Sequence, residues 1–280
     1  MAIVRPLSEL LTHTRIDAAP GAPVLEVGDV HLSFGGTKAI QGVSFDVRRG
    51  ELFAMIGPNG AGKTSIFNCL SGVYRPQHGT IDFLGESVLG QTPHHVAGRG
   101  IARMFQNIEL FDNLTVLDNL LLGRHLHVRY SIAEAMLWFG RARRQELLHR
   151  RVAEDVIDFL ELEAVRRAHV GMLPYGIKKR VELGRALCME PKLLLLDEPV
   201  AGMNVEETED MARFILDIRR ELGMTMIMVE HDMGLVMDLA DRVLAVDFGT
   251  PLALGTPDEV QVNPDVIRAY LGEPDEGGHA

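Results

Sequence analysis

The chain has 280 residues, 46% of them hydrophobic, and a formal net charge of -11. This length and apolar content suffice for a sizeable buried core, while the acidic balance argues against broad nucleic-acid binding, which wants a basic face. No run of about 18 uncharged apolar residues occurs, so no segment reads as membrane-spanning.

Residues 1–22 carry Pro6, Pro20 and Gly21 with weak periodicity, which predicts a partly ordered extension. Glu9 and Asp17 break any apolar stretch there, so it reads as neither a secretory signal nor a good transit peptide. Val24–Val27 and Ala39–Val47 alternate like strands on either side of a Gly35-Gly36 turn, with Phe34 just before it. The apolar stretch Glu51–Ile56 then runs into Gly57-Pro58-Asn59-Gly60-Ala61-Gly62-Lys63-Thr64, and Ser65 to Leu70 leaves as a helix. The octad fits G-x-x-x-x-G-K-[ST] in the strand–loop–helix context that a phosphate-binding loop requires. Glycines let the backbone take positive φ and approach a ligand. Successive N–H groups then form an anion nest at a helix N-terminus. Lys63 is placed to reach the β- and γ-phosphates, and the Thr64 hydroxyl to hold Mg²⁺.

Thr80–Leu84 predicts another short strand. From Leu114 to about Ala186 helical periodicity dominates. Ser131-Ile132-Ala133-Glu134 has capping-box spacing, and Leu148, Val152, Val156 and Phe159 fall on one face of a long amphipathic helix. Arg141, Arg143, Arg144, Arg150 and Arg151 read as a solvated basic face, and Trp138 and Phe139 as core. Past Pro191 the α/β pattern returns. Leu193–Leu196 is a continuous apolar strand of the kind found in parallel sheets, and Met224–Val229 and Arg242–Val246 are two more. Asn204-Val205-Glu206-Glu207 caps a helix that runs to Leu222 and stops at Gly223. Cys69 and Cys188, the only cysteines, are expected to be small buried hydrophobes in a reducing compartment.

Ligands of α/β sheets bind at the carboxyl ends of the strands, which puts Asp197 and Glu198 beside the phosphate loop. Asp197 suits Mg²⁺, a hard cation that wants oxygen. Glu198 suits a base that polarises an attacking water. His231 follows the strand ending at Val229 and reaches the same edge, within reach of the γ-phosphate. His94-His95 and His125-Leu126-His127 lack partner acids or cysteines at metal spacing and read as solvated loop. Asp247-Phe248-Gly249 mimics a kinase motif, but no catalytic-loop motif accompanies it, so it reads as a hairpin turn.

Taken in order, these motifs resemble the ATP-binding subunit of an ABC transporter over about residues 24–271. The resemblance implies that Phe34 stacks on adenine. It also implies that Gln106 senses Mg²⁺ and reports to the membrane subunit, and that His231 is the switch histidine. Residues 57–65, Gly57 through Ser65, are its nucleotide loop, and Thr64, Gln106 and Asp197 its metal contacts. Ser33-Phe34-Gly35-Gly36, Phe105-Gln106-Asn107, Glu230-His231-Asp232-Met233 and the ending from Gly255 to Gly272 resemble the branched-chain amino acid subfamily. The material between Arg124 and Arg151 resembles the larger of its two ATPase subunits. The implied fold is an α/β RecA-like P-loop core with a small antiparallel β subdomain and an inserted α-helical subdomain at about 107–186. One ATPase domain would cover 23–272, with a tail at 273–280.

The signature departs from the family. It reads Leu173-Pro174-Tyr175-Gly176-Ile177 where Leu-Ser-Gly-Gly-Gln is usual, and Asn204 stands where aspartate is commoner. Pro174 and Ile177 remove a hydroxyl and an amide that could touch a partner's nucleotide. Tyr175 is tolerated in the subfamily, and Gly176 keeps a backbone N–H at a helix N-terminus. The expected partners are membrane permeases, a second ATPase subunit (itself or a paralogue) and, indirectly, a solute-binding protein. The expected place is the cytoplasmic face of the plasma membrane. The alternatives are a soluble ABC-type ATPase, or a nucleotide-gated scaffold that barely hydrolyses ATP.

Overall fold

The computed structural model describes residues 21–128 and 140–271, with Leu11, Thr14, Ile16 and Ala19 ahead of them. The expected capping box at Ser131 and the residues Trp138 and Phe139 lie outside the described residues. The strands are β1 (Pro23–Phe34), β2 (Thr37–Arg48), β3 (Leu52–Ile56), β4 (His78–Phe83), β5 (Glu86–Ser87), β6 (Ile101–Met104), β7 (Leu193–Asp197), β8 (Thr225–Val229), β9 (Arg242–Asp247) and β10 (Thr250–Gly255). The helices are α1 (Lys63–Leu70), α2 (Pro93–Arg99), α3 (Val116–Leu122), α4 (Arg141–Phe159), α5 (Tyr175–Cys188), α6 (Val205–Leu222), α7 (Met233–Leu239), α8 (Pro257–Gln261) and α9 (Pro264–Leu271).

The chain divides into two compact units. The first takes Met1–Ile16, Gly100–Leu194 and Pro199–Leu222; the second takes Asp17–Arg99, Leu195–Glu198 and Gly223–Ala280.

The second unit holds an antiparallel sheet in the order β2-β1-β4-β5. β1 and β2 form a hairpin closed by the Phe34–Thr37 pair, and the sequence reads the Gly35-Gly36 turn at its tip. β3 lies parallel to both β8 and β9, and β10 runs antiparallel to β9. Every residue of β3 and β8 is buried, as continuous apolar strands of a parallel sheet should be. Phe45 and Phe53 stack at 5.1 Å, and Arg242 ties Asp46 (3.0 Å) and Glu51 (3.2 Å) around that stack. Asp247-Phe248-Gly249 is a hairpin turn between β9 and β10, as expected from sequence. Positive φ at Phe248 (43°) and Gly249 (76°) gives it the twist that matches paired strands.

In the first unit α3, α4 and α5 pack where Gly184 lets them meet. A Cβ there would stand 3.0 Å from Leu160, 3.4 Å from Val156 and 3.5 Å from Leu120. Asn119, fully buried, binds the backbone of Phe111 (2.9 and 3.1 Å) and of Thr115 (3.0 Å), satisfying all it can in the apolar interior. α6 starts with Glu206 and Glu207 and ends with Arg219 and Arg220, charges that suit a helix dipole. The Asn204–Glu207 box caps it reciprocally at 3.0 and 3.2 Å.

One expected face is corrected. Val152 and Val156 are buried on α4, but Leu148 is 52% exposed and the neighbouring His149 is buried instead. The reason is a polar partner: Arg124 donates from Nε to His149 Nδ1 at 3.3 Å. Arg124 also binds Glu190 Oε1 (2.6 Å) and the Cys188 carbonyl (2.7 Å). The buried guanidinium draws in the imidazole and turns Leu148 out. Both cysteines are buried, and burial pushes each thiol up to about 12.

Candidate nucleotide site

The phosphate-loop motif lies between β3 and α1 in the second unit. Gly57 sits at φ 153°, and a Cβ there would strike the Val246 carbonyl. Gly62 sits at φ 102° as the N-cap of α1, and a Cβ there would lie 2.5 Å from the Ala39 carbonyl. Both positions therefore exclude side chains by conformation and by space. The N-terminus of α1 has no side-chain cap and no acidic residue in its first turn. An anion is the partner that such a helix end favours.

Lys63 is 6% exposed. Its ammonium donates to the Gly57 carbonyl and, at 2.9 Å, to the Pro58 carbonyl. Burial lowers its pKa, and Glu198 and Asp197 oppose that shift. Both carboxylates thus act on the lysine electrostatically, as their position at the end of β7 predicts. Asp197 is 2% exposed. Glu198 takes φ 47° and donates its N–H to Val229 O, the last residue of β8, at 2.9 Å. Left-handed backbone at a non-glycine residue costs energy and clusters at functional sites.

His231 follows β8 with its side chain 59% exposed. Its N–H donates to the carboxylate of the fully buried Glu230 at 3.1 Å, and its Nδ1 lies 3.7 Å from the same carboxylate. Phe34 stands 48% exposed at the hairpin tip, edge-on to Tyr74 at 5.0 Å. Thr64 and Asn59 are exposed and Ser65 is half-buried. So Phe34, residues 57–65, Asp197, Glu198 and His231 all stand in the second unit.

Gln106, Tyr175 and Gly176 stand in the first. Gln106 is exposed, in irregular chain after β6. Gly176 lies in the first turn of α5, whose N-cap, Pro174, offers no side-chain hydrogen bond. A Cβ at Gly176 would collide with the Glu207 carboxylate, and Gly202 packs on the Tyr175 ring.

Sequence reasoning gave no role in the site to Glu230, Tyr74 or Tyr270. Burial raises the Tyr270 phenol's pKa, and the Gly57 backbone opposes that shift. The only available signals were an acid beside His231 and two aromatics whose partners lie far along the chain.

A glycine-bounded loop, a buried lysine and two carboxylates at strand ends define a P-loop nucleoside triphosphatase. The family model described as ABC transporter matches residues 40–201. A second, described as branched-chain amino acid ATP-binding cassette transporter, matches residues 250–276. The chain is 40% identical over 251 residues to the high-affinity branched-chain amino acid transport ATP-binding protein BraF of Pseudomonas aeruginosa, covering 90% of this chain and 98% of that one. It is 40% identical over 254 residues to LivG of Escherichia coli K12, a protein of the same description, again covering 90% and 98%. Among solved structures, the ADP conformation of MJ1267, an ATP-binding cassette of an ABC transporter, superposes with a TM-score of 0.78. It is 28% identical, over 90% of this chain and all of that one. This chain therefore belongs to the ABC transporter family as an ATP-binding, ATP-hydrolysing cassette, a class of subunit that works with membrane permeases. Among the described residues no helix is long and apolar enough to cross a membrane.

Proposed function

We propose that this cassette powers import of branched-chain amino acids, or a related small polar solute, through separate permeases at the cytoplasmic face of the plasma membrane. Residues 23–272 act as one ATPase domain. The observation that carries the reading is the Lys63–Asp197–Glu198 constellation behind a loop that only glycine can build. It stands in a chain that matches transport ATPases over nearly their full length.

Lys63 already spends its ammonium on two loop carbonyls. Triphosphate oxygens replace them with stronger, charge-assisted acceptors. The loop N–H groups from Asn59 to Ser65 orient the phosphates, with Pro58 shaping the turn, and Phe34 offers its exposed face to adenine. Thr64 and Asp197 would hold Mg²⁺, which when bound neutralises charge on the phosphate oxygens, and Gln106 takes the metal-sensing role that the family resemblance implies. Glu198 takes the proton of the attacking water, and His231, braced by Glu230, contacts the γ-phosphate. Two such chains, or this chain and a paralogue, close head to tail. Tyr175 and Gly176 of one then face the nucleotide of the other. A solute-binding protein delivers cargo to the permease.

Pro174 and Ile177 favour the heterodimer. Each lost phosphate hydrogen bond costs about 1.5–3 kcal/mol, and a homodimer bears that loss at both sites. The test is ATP turnover of the purified chain alone, then with the permeases and paralogue that copurify from native membranes. Turnover should be slow alone and rise on assembly. A tight, fully active homodimer would refute the heterodimer, and turnover indifferent to permeases would refute transport.

A further inference from the structure

α5 carries a charged pair that the nucleotide reading does not use. Lys179 and Glu182 are 0% and 1% exposed, their charges 4.0 Å apart. Lys179 donates to the Gln106 carbonyl at 2.7 Å and to the Phe105 carbonyl at 3.3 Å. Glu182 Oε1 accepts the Glu109 N–H at 3.4 Å. One turn further on, Arg185 donates to the Glu109 carbonyl. Successive turns of one helix thus hold the backbone of residues 105–109, a stretch without helix or strand of its own.

Stability does not explain the pair. Two ions taken from water recover their desolvation only with excellent geometry; here burial pushes the Glu182 carboxyl up to about 7, and its Oε2 is buried with no hydrogen-bond donor among the described residues. A methionine and a leucine would fill the same space at no greater cost. What an apolar pair could not do is bind the backbone of that irregular stretch, and so fix where the Gln106 side chain begins.

We propose that Lys179 and Glu182 are positioning residues that lock the Gln106 segment to the helix bearing Gly176. The segment that senses the metal and the helix that faces the partner's nucleotide then move as one piece. This rests on the roles given above to Gln106 and Gly176. Lys179 acts through backbone carbonyls, so its loss should lower kcat and leave ATP affinity alone.

The test measures permease-stimulated ATP turnover, ATP affinity, thermal midpoint and hydrogen exchange at the Glu109 amide. The proteins are wild type, Gln106→Ala, Lys179→Met and the paired swap Lys179→Met with Glu182→Leu. The paired swap should keep its thermal midpoint, because an apolar pair replaces the ions. It should lose roughly 10- to 100-fold in kcat, the effect of about 1 Å of misplacement, with KM for ATP nearly unchanged and faster exchange at Glu109. Adding Gln106→Ala to the swap should cost nothing more. If the swap fails to fold, Lys179→Met alone, which removes both carbonyl contacts, carries the comparison, with the same split between kcat and KM expected. Full kcat in a folded swap, or in Lys179→Met if the swap does not fold, overturns the tether when Gln106→Ala is impaired. Unchanged exchange at Glu109 in a folded swap overturns it too. Full kcat in Gln106→Ala overturns the role of Gln106 first, and the proposal with it.

Discussion

Replacing Glu198 separates its chemistry from its backbone. The residue sits at φ 47°, beside a buried lysine whose charge it supports. Glu198→Gln keeps shape and backbone but removes the basic oxygen. If Glu198 polarises the water, kcat should fall roughly 10²–10⁴-fold, about 2.7–5.4 kcal/mol of barrier. ATP binding should persist, because Asp197 and the loop donors remain. Lys63 loses one of its two supporting carboxylates, so its pKa should fall further. Glu198→Gly supplies the control. Left-handed backbone costs a non-glycine residue roughly 1–2 kcal/mol, and glycine's extra unfolded-state entropy takes back about 0.5–1. The glycine variant should thus be as stable as wild type or up to about 1.5 kcal/mol more stable, yet equally dead in turnover. Phosphate release at saturating Mg-ATP, nucleotide titration and urea unfolding measure the three quantities. Wild-type turnover in Glu198→Gln would remove the residue from the mechanism. A strongly destabilised Glu198→Gly would show that the side chain holds the fold.

Phe34→Ala should weaken ATP binding by about 1–3 kcal/mol, the worth of an aromatic face on a base, while Phe34→Tyr stays close to wild type; equal affinity in all three would place adenine elsewhere. Arg124→Met strands the buried Glu190 carboxylate and should cost about 3–5 kcal/mol in urea unfolding, whereas Arg124→Met with Glu190→Leu should recover most of it. A double variant as unstable as the single one would refute that account. His149 should make stability depend on acid. Burial, and then the Arg124 charge, hold its pKa below the usual 6.5, so on acidification the unfolded chain takes up a proton before the folded one. Its contribution is complete above pH 6.5 and is lost as pH falls below that, at no more than about 1.4 kcal/mol per unit. His149→Gln should flatten that slope relative to wild type, and an unchanged slope would refute it.

Local chemistry decided most of this molecule. The phosphate loop, the apolar strands β3, β7 and β8, the Asn204–Glu207 cap and the turn at Phe248 are fixed by residues within a few positions of one another. Glycine spacing, alternation and capping oxygens act at that range, so the sequence alone placed Lys63 where the loop enters α1 and Asp197 and Glu198 at the end of β7. Other features depend on partners distant in the chain. β10 was missed because it is an edge strand of mixed burial with no continuous apolar run. β6 spans only Ile101–Met104, too short for a period to show. Periodicity put Leu148 on the buried face of α4, because it registers apolar spacing but not a guanidinium waiting 25 residues earlier for His149. The same holds for Lys179 and Glu182. On a helix wheel they are two ordinary charges, and only the fold brings the carbonyls of Phe105 and Gln106, more than 70 residues away, to Lys179. Burial then turns a surface-type ion pair into a backbone clamp, because an ammonium removed from water must take whatever acceptors the tertiary structure supplies.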